Sequence, residues 1–237
     1  MATYNVHAGH NSIVPGANKY LNEVTEDRAV KNKVISYLKA TGNTAYDCTD
    51  DSGRTQDENL SNIVKKCNAH SVDLDVSIHL NSGRKDSKGD GKTGGVEVLC
   101  YDEGTKEVAK AIADAIHNEF RYTLRSDETT PDGYAGVKIK KDLYVLRNTK
   151  APAILIECCF VDDKDDAKVW NSDKCAKAIV KGITGKAVSS GSNTGAASSA
   201  ASSDHGGTPG HYWASVQLKE LDRTSGQKWI AHKQWDG

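Results

Sequence analysis

The 237-residue chain is long enough for one good-sized domain and a small appendage. With 27% charged residues and a net charge of −1, it carries no electrostatic footprint for nucleic acid or anionic membrane. No apolar run approaches the roughly 20 residues that span a bilayer, so membrane insertion is not expected.

Thr3 to His7 reads as a first strand, ending in His7-Ala8-Gly9-His10. From Glu23 to Thr41, Val30, Val34 and Leu38 recur at i+4 beside Ile35, which predicts a helix that Gly42 stops. Thr44 to Cys48 is a short second strand. Thr55-Gln56-Asp57-Glu58 has the form of a capping box, and the helix it opens places Leu60, Ile63, Val64 and Cys67 on one face. Val76 to Leu80 is a third strand and Val96 to Tyr101 a fourth. Between them, the Lys/Gly/Asp-rich run Arg84 to Lys92 reads as a solvated loop. Val108, Ile112 and Ile116 mark another helix, and Leu143 to Leu146 reads as extended. Ala153 to Cys159 is a buried strand, and Cys175 to Ile183 closes the domain as a helix. This β-α-β-α order predicts an α/β fold: a mostly parallel sheet flanked by helices on both faces.

Composition changes abruptly after that helix. The stretch from Val188 to Gly210 is almost entirely Ser, Gly, Ala, Thr and Asn, a composition that buries no apolar surface and predicts a flexible linker. The expected organisation is a domain over 1–186, a linker over 187–210 and a Trp-containing segment over 211–237. The six cysteines contain no CxxC pair and sit mostly inside apolar runs, so buried reduced thiols are expected. The N-terminus lacks a basic n-region and a long h-region, so synthesis in the cytoplasm without a signal peptide is expected.

Three short apolar strands each deliver a His or Glu near their C-terminal ends: His10 in a Gly-His turn, His79 between Ile78 and Leu80, and Glu157 after Ile154-Leu155-Ile156. Open α/β sheets place their crevices at that edge. A His, His, Glu set is a donor set for a catalytic zinc ion with one position left for water. Each residue also has an ordinary reading: a polar loop His, a satisfied core His, and a Glu paired with a structural Lys or Arg. Glu157 is the oddest of the three, because a carboxylate flanked by apolar residues needs a cation nearby or must take up a proton. A raised pKa is also what a general base near neutral pH requires.

The segments VHAGH, GANKYLNE, DLDVSIHLNSG, GGVEVLCY, LYVLRNTKAPAILIE and CCFVD occur in this order. Together they resemble the zinc-dependent N-acetylmuramoyl-L-alanine amidases, above all the catalytic domains of phage endolysins and cell-wall hydrolases from Gram-positive systems. The resemblance covers about residues 1–186. It implies that His10, Glu23 and His79 hold one zinc ion and that Glu157 is the catalytic acid–base. Two departures stand out. Where the family usually has Asp-Pro-Gly-His, this chain has His7-Ala8-Gly9-His10, so His7 competes with His10. Glu26, one turn after Glu23, competes with Glu23, although counting back from Gly42 favours Glu23.

The implied reaction is hydrolysis of the amide between N-acetylmuramic acid and L-alanine in peptidoglycan. Zinc would activate water and polarise the carbonyl, with Glu157 moving the protons. Asn81, Arg147 and Asn148 are candidate substrate contacts. Tyr212, Trp213, Trp229 and Trp235 suggest an incomplete wall-binding module after the linker. The partner is peptidoglycan, without nucleic acid, and the missing leader points to release by a holin. Two rival readings are a zinc peptidase trimming stem peptides and a non-catalytic wall-binding protein.

Overall fold

A computed structural model describes residues 1–188, and the Ser/Gly-rich stretch from 189 and the Trp-containing segment lie outside the described residues. Val188, expected to lie in the linker, packs partly buried against the core.

Six strands form one sheet: β1 (Thr3–Ala8), β2 (Thr44–Asp47), β3 (Leu74–Asn81), β4 (Glu97–Cys100), β5 (Val137–Ile139) and β6 (Ala153–Phe160). Their order is β2-β1-β3-β6-β4-β5. β2, β1, β3 and β6 run parallel, while β4 and its parallel neighbour β5 run against β6. The mostly parallel α/β architecture matches the expectation from the sequence.

Alternation along the strands sorts the side chains into two unlike faces. Tyr4, Val6, Val76, Ile78, Val98, Ile154 and Ile156 point to one side and are all buried in the main core. Three helices cover them: α1 (Glu23–Ala40), α3 (Lys106–Phe120) and α6 (Ser172–Thr184), each contributing its own apolar stripe. The intervening residues Asn5, His7, Asp75, Ser77, His79, Glu97 and Glu157 point to the other face. There α2 (Gln56–Cys67) packs through Ile63, Val64 and Cys67 on Val145 of α4 (Tyr144–Asn148). A short polar helix, α5 (Lys164–Val169), follows β6.

Local chemistry sets the boundaries. Asn22 caps α1 by accepting from the Thr25 N–H, so Glu23 is its first residue. Thr55 caps α2 by accepting from the Glu58 N–H, while the Glu58 carboxylate reaches back to the Arg54 N–H, one residue beyond a standard capping box. All six cysteines are buried and free.

The segment Leu143 to Leu146, expected to be extended, instead begins the five-residue α4. Its Val145 enters one apolar cluster and its Leu146 another, with Leu99 and Leu155. One helical turn is too short to display a 3.6-residue period, and Leu-Tyr-Val-Leu has strand-like propensity. β5 and α5 escaped the sequence reading for a similar reason: each is short and rich in Lys or Asp.

Candidate metal centre and active site

β1 ends at Ala8, and the Gly9 N–H continues the pairing by donating to the Ile78 carbonyl. The chain then turns through His10 and Asn11. Asn11 is buried; it donates to the Gly53 carbonyl and accepts from the Ile13 and Val14 N–H groups, which fixes the loop carrying His10. The backbone passes close to the site twice. A Cβ on Gly9 would stand 1.7 Å from the His79 ring, and one on Gly16 would stand 2.0 Å from Glu23 Oε2 and 2.6 Å from the His10 ring. Only glycine leaves room at these two positions.

Glu23 lies between the two histidines. Its Oε1 is 3.4 Å from His10 Nε2 and 3.3 Å from His79 Nδ1, and it also accepts from the Leu80 N–H. Its Oε2 accepts from the Ala17 N–H at 2.7 Å. One donor atom from each of His10, Glu23 and His79 lies within 4.8 Å of the others, compact enough for one cation. Burial alone would raise the Glu23 carboxyl, but hydrogen bonds to His10 and His79 outweigh it and hold the group well below the usual carboxylate range. Burial also pulls His79 down against the pull of Glu23, whereas at His10 the Glu23 hydrogen bond outweighs burial and raises the imidazole.

The two competitors lie elsewhere. Glu26 accepts from Trp170 Nε1 at 2.7 Å, outside the cluster. His7 is fully buried and stands 3.5 Å from Ser77 Oγ, with burial pushing its pKa down to about 3.

Glu157 is not one of the three clustered donors; the cluster is His10, Glu23 and His79, the set that the family resemblance implied. Glu23 supplies its donor from a helix N-terminus rather than a strand end. Glu157 is the register partner of His79 on β3 and of Glu97 on β4, so the three stand in a row across the polar face. The β3–β6 register shifts just beyond His79, a bulge of the kind that re-aims side chains beside active sites. Glu157 lines a cavity of about 400 Å³ together with His10 and His79, and its Oε2 is enclosed without a hydrogen-bond partner. Burial raises its carboxyl well above the usual range, with the Glu23 and Glu97 charges adding to the effect.

Asn81 donates from Nδ2 to Glu97 Oε1 at 2.9 Å and does not line the cavity. Arg147 and Asn148 are exposed on α4 and do not line the cavity. Asn148 donates its side chain back to the Tyr144 carbonyl, capping its own helix. In their place, Gln56 and Asn59 of α2 and Asp142, Leu143 and Tyr144 line the cavity. Glu97 was also missed. It is buried, and Lys138 Nζ at 2.7 Å and Arg125 Nε at 3.1 Å hold its Oε2. Its signal was present in the sequence: a Glu at an inward position of the alternating strand Val96-Glu97-Val98-Leu99.

Fold and site together define a class of α/β domain that gathers three side chains able to hold a metal ion and a separate enclosed carboxylate at one edge of the sheet. Within that class the chain belongs to the N-acetylmuramoyl-L-alanine amidase family, whose sequence model matches residues 5–187. It is 32% identical over 183 residues to an uncharacterised 38.4 kDa protein of Clostridium perfringens, covering 75% of this chain and 49% of that one. It is 31% identical over 160 residues to the endolysin of Bacillus phage SPP1, covering 65% of this chain and 52% of that one. The catalytic domain of the CD27L endolysin targeting Clostridia difficile superposes with a TM-score of 0.65 at 26% identity, covering 80% of this chain and all of that domain. The chain spans about half the length of the first curated relatives it matches, 49% and 52%. Among the described residues, no helix is long and apolar enough to cross a membrane.

Proposed function

We propose that this domain hydrolyses the amide bond between N-acetylmuramic acid and the L-alanine of peptidoglycan, acting on the bacterial cell wall with one zinc ion held by His10, Glu23 and His79. The observation that carries this reading is the pairing of a compact three-donor cluster with Glu157, whose enclosed oxygen has no partner in the same cavity. Two imidazoles and a carboxylate suit zinc, and they leave a coordination position for chemistry. When bound, the ion would supply Lewis acidity to a water and to the scissile carbonyl.

The chain's own groups account for the proton movements. Glu157 accepts a proton at its carboxylate from the attacking water, for which a raised pKa suits a base working near neutrality. It then passes that proton to the alanine nitrogen as the C–N bond breaks. The products are a muramic acid carboxylate and a free amine on the stem peptide. Glu97, held by Lys138, Arg125 and Asn81, stands beside Glu157 without entering the cavity lining.

Digestion of purified walls, with mass spectrometry of the new ends, tests the cleaved bond. New L-alanine amines opposite muramic carboxylates are expected, whereas cuts within the stem peptide would make the chain a peptidase. Zinc content tests the donors without reference to activity. His79→Ala and Glu23→Ala should lose bound zinc, while Glu26→Ala should keep it; near-stoichiometric zinc in His79→Ala would refute the assignment. The reading places all the chemistry within residues 1–188. A fragment of that length should therefore hydrolyse a soluble muropeptide at close to the full-length rate, and an inactive fragment would refute that boundary.

A further inference from the structure

One wall of the active-site cavity takes no part in the proton transfers. α2 opens at Gln56, and Gln56 and Asn59, three residues apart on one helix face, both line the cavity. Gln56 is exposed, whereas Asn59 is 2% exposed. Asparagine is a poor helix former, and a buried amide needs hydrogen-bond partners at both its ends.

The nitrogen end has them. Asn59 Nδ2 donates to the Asp50 carbonyl and to Asp50 Oδ2, both at 3.1 Å. Asp50 is itself fixed, with Oδ1 accepting from the Ser52 hydroxyl and Oδ2 from the Gly53 N–H. Burial opposes ionisation of Asp50, but hydrogen bonds from Ser52, Gly53 and Asn59 outweigh it and bring the carboxyl down to about 2. Carbonyl and carboxylate therefore accept only, and the amide cannot be turned round, because its oxygen would then face two oxygens. Asp50 is not part of the cavity lining, so the nitrogen points away from the cavity and the oxygen is the polar end left on its side. Among the described residues, no group donates to Asn59 Oδ1.

From this arrangement we infer that Asn59 Oδ1 is a substrate contact that accepts a hydrogen bond from an amide N–H flanking the bond that is cut. The inference rests on the amidase reading and adds to it a group that aligns the substrate. A fixed acceptor calls for a donor, which rules out an anionic group of the substrate at this point. In the intact glycan, the ring positions beside the lactyl ether carry an acetamido group and a glycosidic bond. The donors nearest the scissile amide are then the acetamido N–H on the sugar side and the next peptide N–H on the stem side. Either one would satisfy an oxygen that the fold leaves unmet.

The test compares rates of full-length, zinc-loaded protein on a soluble muropeptide and on two analogues. One analogue has an ester in place of the amide that follows alanine, and the other an acetoxy group in place of the acetamido group. Each puts an oxygen where the N–H stood, so that it opposes Asn59 Oδ1 lone pair to lone pair. Wild type should lose about 10- to 100-fold in kcat/KM on one of the two, the effect of leaving an enclosed acceptor unmet. The analogue that shows the loss tells which side of the bond Asn59 reads. In Asn59→Ala the loss on that analogue should shrink to less than about threefold. Each figure is a ratio of two rates on one protein, so a lower zinc content or folded fraction in the variant cancels. If Asn59→Ala yields no active protein, Asn59→Ser, whose hydroxyl can still donate to Asp50, takes its place. Failure of wild type to cut the parent compound between muramic acid and alanine would sink the amidase reading and this inference with it. Cleavage of the parent with neither analogue impaired, or with the same loss in the Asn59 variants, would overturn this inference alone.

Discussion

The two faces of one sheet are built from the same strands and do opposite work. On the face covered by α1, α3 and α6, Val6, Val76, Ile78, Ile154 and Ile156 are shut away from water. On the other, their sequence neighbours His7, Asp75, Ser77, His79 and Glu157 form a polar row. Several of its atoms, Asp75 Oδ2, His7 Nε2 and Glu157 Oε2 among them, are enclosed without partners. Each fully buried aliphatic side chain stabilises the fold by roughly 1.5–3 kcal/mol, whereas an enclosed polar atom without a partner costs roughly 1–3 kcal/mol. The dry face therefore supports the strain of the polar one, so the two faces should answer mutation differently.

The largest separation is expected at Glu157. Glu157→Gln keeps the shape of the side chain and removes a buried carboxylate that Glu23 and Glu97 oppose, so the fold and bound zinc should persist. Turnover should fall by about 100- to 10,000-fold. A variant with more than about a tenth of wild-type turnover on purified walls would fall outside that range and show that the polar face does not carry the chemistry through this residue.

Its neighbour on the dry face should do the reverse. Ile156→Ala should cost about 2–5 kcal/mol in chemical denaturation, while the molecules that remain folded keep their turnover. A drop in turnover without a loss of stability would break the division between the faces.

Gly16→Ala gives a smaller effect that sharpens the comparison. The added methyl would press on Glu23 Oε2 and the His10 ring. Metal affinity should fall by about 10- to 100-fold with little change in the unfolding midpoint of the metal-free protein. Unaltered zinc binding would show that the loop carrying His10 yields easily.

The smallest effect concerns pH. Burial pushes the Asp166 carboxyl from 3.8 up to about 7 in the folded chain, with one oxygen accepting from the Phe160 and Gly95 N–H groups and the other unpartnered. The folded state holds a proton that the unfolded chain releases above about pH 4. This contribution to stability is complete below about pH 4 and is lost as pH rises through about 7. Asp166→Asn mimics the protonated form, so denaturant midpoints should decline less between about pH 5 and about pH 8 than in wild type. An equal decline would place the pH dependence elsewhere.

The strands and long helices were legible because their periods are local: two residues along β1, β3 and β6, and four between Val30, Val34 and Leu38. The histidines were legible because each stands at the end of an apolar run. The sequence alone thus determined the α/β order, the mostly parallel sheet and the edge where reactive side chains gather. Tertiary structure decided which acid joins them. Glu23 and Glu26 are neighbours in the first turn of one helix; the family resemblance favoured Glu23, and the packing of that turn brings Glu23 to the Leu80 N–H and Glu26 to the Trp170 indole. It also decided that Arg147 and Asn148 stay outside the cavity, and that Glu97 stands beside Glu157 through an antiparallel pairing of segments far apart in the chain. Such pairings depend on which strands become neighbours, and that is settled by burial of the whole core rather than by any local pattern.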